Sequence, residues 1–75
     1  MKKFYCLFSI RHKNSRRYQV VYAEDIAKAR ELMRKAYGSI GALYGEDDWP
    51  IVKRDCPILA EYTPMENEIR QDGAL

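Results

Sequence analysis

The chain has 75 residues, 47 % hydrophobic and 32 % charged, with a formal net charge of +2. This length allows one small domain, and the composition is that of a globular chain rather than a disordered one. No apolar run approaches the roughly 18 residues of a transmembrane helix, so no membrane partner is expected.

The N-terminus begins like a secretory signal, with Lys2 and Lys3 before an apolar run. That run meets Arg11-His12-Lys13 without a small-residue cleavage site, which argues against export. Residues 3–10 read instead as a strand, with Phe4, Cys6, Phe8 and Ile10 on one face and Tyr5, Leu7 and Ser9 on the other. A polar turn around Asn14-Ser15 follows. Residues 17–23 then alternate again, with Tyr18, Val20 and Tyr22 on one face, and the two strands are expected to form an antiparallel hairpin. Apolar side chains fall on both faces of this hairpin.

After Ala23 the period changes. Asp25 suits a helix N-cap, and Ile26, Ala29, Met33, Ala36 and Tyr37, with Leu32 beside them, form one helical stripe. Arg34 and Lys35 suit the negative end of the helix dipole, and Gly38 suits the C-terminal cap. Ile40, Leu43 and Tyr44 fit a helical turn or a short edge strand equally well. Glu46-Asp47-Asp48 reads as a turn and Ile51-Val52-Lys53-Arg54 as a short strand. Residues 58–63 read as the last strand. Beyond Pro64 the chain turns polar and aperiodic. The expected organisation is therefore one α+β domain over residues 1–64 and a mobile tail over 65–75. Its fold is a small antiparallel sheet of three or four strands with one helix on one face, in the order β-β-α-β.

Charge is unevenly distributed. Residues 1–35 hold ten Lys/Arg against three Asp/Glu (+7), and residues 36–75 hold three against eight (−5), which together give the +2. Neither a uniformly basic nucleic-acid binder nor an acidic DNA mimic has this pattern. Two cysteines, 50 residues apart, make neither a disulfide scaffold nor a Cys-x-x-Cys site. Reduced thiols and a cytoplasmic location are expected, with a Cys6–Cys56 bridge the alternative.

Catalysis is poorly provided for. The chain has one histidine, His12, in a turn, and no third group joins it to Cys6 as a triad. Glu46-Asp47-Asp48 lacks the ligand spacing of an EF-hand, and the glycines lack the ending of a phosphate loop. The expectation is a non-enzymatic protein without metal or cofactor. Two surfaces compete for binding. One is the acidic-aromatic segment Tyr44, Glu46, Asp47, Asp48 and Trp49, in which Trp49 is either an exposed anchor or a plug for one end of the core. The other is basic: Arg11, Lys13, Arg16 and Arg17 at the hairpin turn, with Lys28, Arg30, Arg34 and Lys35 on the helix, a set able to hold phosphates. Six tyrosines in so short a chain cannot all fit its core, and they either add to an aromatic binding surface or cover a thin sheet edge.

The run Tyr18-x-Val20-x-Tyr22-Ala23-Glu24-Asp25-Ile26-x-x-Ala29-Arg30, closing with Tyr37-Gly38, resembles the strand–helix unit of small phage- and mobile-element-encoded β-β-α-β proteins. That loose group includes anti-CRISPR inhibitors, and the resemblance covers residues 17–38. It implies a protein-binding inhibitor that occludes a working surface of a host protein, such as a nucleic-acid-binding nuclease. It assigns no individual site residues. Direct nucleic-acid binding is the second expectation and self-association as a homodimer the third.

Overall fold

Period-two alternation produces the first hairpin of the computed structural model, which describes residues 1–9, 11, 17–55 and 68–71. Strand β1 (Lys2–Leu7) pairs antiparallel with β2 (Tyr18–Ala23), placing Lys2 opposite Ala23 and Leu7 opposite Tyr18. Helix α1 (Ile26–Tyr37) follows at once. The Asp25 carboxylate accepts from the Lys28 N–H at 2.9 Å, and Gly38 closes the helix at a φ of 81°, donating to the Arg34 carbonyl. Both helix ends thus form where capping chemistry places them. Of the expected stripe, Ala29 and Met33 are buried, whereas Ile26 and Ala36 are exposed.

Strand β3 (Leu43–Gly45) settles the open reading of residues 39–45 as an edge strand, antiparallel to β1 with Tyr44 opposite Tyr5. Before it, Gly41 donates to the Leu7 carbonyl at 2.8 Å, and Leu7 donates to the Ala42 carbonyl at 2.8 Å. Only glycine permits this approach, because a Cβ at position 41 would lie 2.8 Å from the Phe8 carbonyl oxygen.

Two expectations are corrected. The sheet is mixed, not antiparallel: its order is β3-β1-β2-β4, and β4 (Ile69–Arg70) runs parallel to β2 with Ile69 opposite Val21. The described residues also contain a second helix, α2 (Trp49–Asp55), in place of the expected strand over residues 51–54. The reason is spacing. Trp49 and Val52, three apart, would face opposite sides of a strand but share one side of a helix, and both pack onto the sheet. Pro50 is tolerated because it sits in the first turn. The strand expected at 58–63, together with Cys56, lies outside the described residues. Ile69–Arg70 falls within the stretch expected to trail as a tail, and there it is a sheet strand.

The result is an α+β arrangement with two cores. On one face of the sheet, α1 covers Phe4, Cys6, Phe8, Val21, Ala23 and Ile69 with Ala29 and Met33. On the other, α2 covers Tyr18 and Val20, with Tyr5, Leu7, Tyr22 and Tyr44 packed around Trp49. The fully buried Gln19 is held by the Tyr37 hydroxyl, which donates to Gln19 Oε1 at 2.7 Å. No helix among the described residues is long and apolar enough to cross a membrane.

Candidate functional site

The hairpin register turns the charge asymmetry of the sequence into a spatial one. At the Lys2–Ala23 end of the sheet, β2 runs into Glu24 and Asp25, and β3, whose Gly45 lies opposite Phe4, runs into the exposed turn Glu46-Asp47-Asp48. Glu68, which precedes β4 beside the middle of β2, accepts from the Tyr22 hydroxyl at 3.5 Å. The Leu7–Tyr18 end carries the exposed Arg11 and Arg17 on the chain entering and leaving the hairpin connection. Helix α1 returns antiparallel to β2, since Tyr37 meets Gln19 and its ring lies 5.0 Å from that of Phe8. Its last turn, with exposed Arg34 and Lys35, therefore joins Arg11 and Arg17. Five residue steps of strand, about 17 Å, separate the two ends.

At the acidic end, β3 stops at Gly45 while β1 continues to Lys2. The step leaves an open cleft of about 490 Å³, lined by residues 1–4 and 45–48. Exposed Met1 and the carboxylates of the turn form its rim, together with Lys2 and Lys3. The Lys3 ammonium is pushed above its ordinary range, chiefly by its hydrogen bond to Tyr5, with the charge of Glu46 adding to the effect. It also lies 5.2 Å from the centre of the Tyr5 ring. Beside it on the same sheet face, Arg70 covers the Tyr22 ring at 4.2 Å and pairs with Glu68 at 2.9 Å.

The candidate residues thus divide. Glu46, Asp47 and Asp48 are exposed together at the cleft, and Tyr44 is half-buried behind them. Trp49 is not an exposed anchor. It is 5 % exposed, stacked on Tyr5 at 4.8 Å and 3°, and 4.6 Å from Tyr18, so it plugs the second core. Of the basic set, Arg11, Arg17 and Arg34 share one end of the molecule. Arg30 lies one turn earlier on the exposed side of α1. Lys13, Arg16 and His12 lie outside the described residues. Sequence reasoning missed Met1, Lys2 and Lys3, because only the unequal lengths of β1 and β3 bring them to the acidic turn.

Cys6 is a fully buried free thiol, its pKa pushed up to about 12 by desolvation, with the charge of Arg30 acting the other way. Such a thiol is a poor nucleophile near neutral pH. No three His, Cys, Asp or Glu side chains among the described residues form a metal-holding group. Comparison with family models, with curated proteins and with solved structures gives no match.

Proposed function

We propose that the protein is a non-enzymatic binding module whose acidic end docks on a basic surface of a partner protein. The observation that carries this reading is the cleft at the step between β1 and β3, rimmed by Glu46, Asp47 and Asp48 beside exposed Met1. The exposed carboxylates of the turn suit a lysine or arginine side chain and Met1 offers its stem an apolar contact, while Lys2 and Lys3 on the same rim restrict where the charged head can sit. Opposite charges at the two ends of the domain orient it in the field of such a surface and speed encounter. Basic working surfaces belong typically to proteins that handle nucleic acid. With the resemblance over residues 17–38, the specific form of the proposal is a phage-type, anti-CRISPR-like inhibitor acting in the cytoplasm and occluding the nucleic-acid channel of a host nuclease.

The test removes charge and keeps shape. Wild-type protein and the triple variant E46Q/D47N/D48N are used as baits in host lysate, and bound proteins are identified by mass spectrometry. A nucleic-acid-binding protein held by wild type and lost by the triple variant supports the reading. Equal recovery by both baits rejects the acidic end as the contact.

A further inference from the structure

The opposite end of the sheet carries a second surface that the acidic-end reading does not use. Arg11 and Arg17, on the chain just after β1 and just before β2, and Arg34 and Lys35, in the last turn of α1, lie at this same end. All four are exposed. None has an ion pair with a described residue: the pairs found are Lys28 with Glu31, Arg54 with Asp55 and Arg70 with Glu68. The carbonyls at the C-terminal end of α1 favour cations, which explains Arg34 and Lys35 locally. They do not explain Arg11 and Arg17, which lie on a different element.

We propose that this end of the domain binds the phosphate backbone of duplex nucleic acid, independently of base sequence. Exposed cations without an ion pair among the described residues, drawn from two elements, are what counterion release requires. The form of nucleic acid follows from the aromatic residues. Single-strand binders stack bases on exposed rings. Here Phe8 and Tyr18 are buried, and the Tyr37 hydroxyl is engaged with Gln19. Between Arg11 and Arg17 the sequence has no Phe, Tyr or Trp. A surface with cations and no free ring reads backbone rather than bases.

The probe is a fluorescein-labelled 16-base-pair duplex of arbitrary sequence, titrated with the full chain by fluorescence anisotropy from 50 to 200 mM salt. Four phosphate contacts predict a slope of log K against log salt of about −3.6, so the Kd rises about 150-fold across that range. The variant R34Q/K35Q flattens the slope by about 1.8, whereas K2Q/K28Q, which removes the same charge from the other end, leaves it unchanged. A single strand of equal length binds more weakly than the duplex. Several outcomes overturn the proposal. Equal flattening by both double variants means only net charge is felt, and tighter single-strand binding means bases are stacked. No duplex binding at 50 mM salt, together with self-association in sedimentation that R34Q/K35Q abolishes, assigns the surface to the acidic end of a second copy. Circular dichroism of each variant shows that the fold is retained.

Discussion

Replacing Trp49 by alanine tests the second core directly. The side chain is 5 % exposed and touches three rings, those of Tyr5, Tyr18 and Tyr44. A buried aromatic removes about 150–250 Å² from water, which at ~25 cal/mol per Å² corresponds to about 4–6 kcal/mol. That is an upper figure, because the unfolded chain already hides part of this area. Measured aromatic-to-alanine truncations in cores cost about 3–5 kcal/mol, and this range is expected here. Scaled by chain length, total stability for a domain of this size is about 4–11 kcal/mol. Trp49→Ala therefore removes between about a quarter and all of it.

The assay is urea unfolding followed by far-ultraviolet circular dichroism, with Trp49→Phe as the milder step at about 1–2 kcal/mol. Because the chain has one tryptophan, fluorescence reports on this site alone. Native emission should be that of a shielded indole and should move to the solvated form on unfolding. A loss below about 1 kcal/mol for Trp49→Ala would refute the reasoning, since truncations of that size are typical of surface positions. Native emission already at the solvated position would refute it independently, because α2 would then not cover this face.

Four further outcomes are expected. Gly41→Ala should destabilise by about 1–3 kcal/mol in thermal melts, because its Cβ meets the backbone of Phe8 and Leu7, which cannot swing aside. Asp25→Ala should cost about 1 kcal/mol in the same assay through loss of the bond to the Lys28 N–H. Ile69→Ala should cost about 2–4 kcal/mol if β4 closes the first core as its 6 % exposure indicates; an unchanged melting temperature would mean that the residue does not dock. Raising the pH should weaken the fold: the Cys6 thiol stands at about 12 against an ordinary 9.0, so its contribution is complete below pH 9 and is lost between pH 9 and about 12. The stability difference between pH 8 and pH 10.5 should be about 2 kcal/mol from this thiol, with Tyr18 and Tyr37 shifted in the same direction by burial and Cys6→Ala reducing the slope.

Local chemistry accounts for the parts of the fold that were legible in the sequence. Strands β1 and β2 are legible from their aromatic and β-branched residues on both faces, since each strand packs against a different partner on each side. Asp25 and Gly38 bracket α1 because capping depends on one or two residues. Helix α2 was illegible for the opposite reason. Ile51 and Val52 are adjacent β-branched residues and favour a strand, but the element is held by Trp49 and Val52 packing on the sheet, a tertiary term that overrides propensity. Ile51, the stronger strand former, is left 52 % exposed. Strand β4 is two residues long and has no period to detect. It depends on pairing with β2 nearly fifty residues earlier and on the Ile69 side chain reaching the first core. The acidic turn was legible as a turn, but its neighbours at the cleft were not, because the cleft arises from a difference in strand length.

The burial of Trp49 also decides where this domain can meet a partner. With α1 on one face of the sheet and α2 on the other, the centre of each face is occupied by a helix, and Tyr5, Leu7 and Tyr22 are left half-buried beside α2. The tyrosines that suggested an aromatic surface serve largely as the second core: Tyr5 and Tyr18 pack against Trp49, and Tyr44 lies at its margin. Recognition is thereby directed to the two ends of the strands, where the chain reverses direction and charged residues gather. The β1–β2 register sends the acids of residues 24–25 to one end, the β1–β3 pairing sends those of residues 46–48 to the same end, and the antiparallel helix α1 sends Arg34 and Lys35 to the other. A slip of the register by one residue would exchange the faces of every strand residue. It would lift Tyr18 and Val20 away from Trp49, so the packing that closes the second core also holds the two charged ends apart.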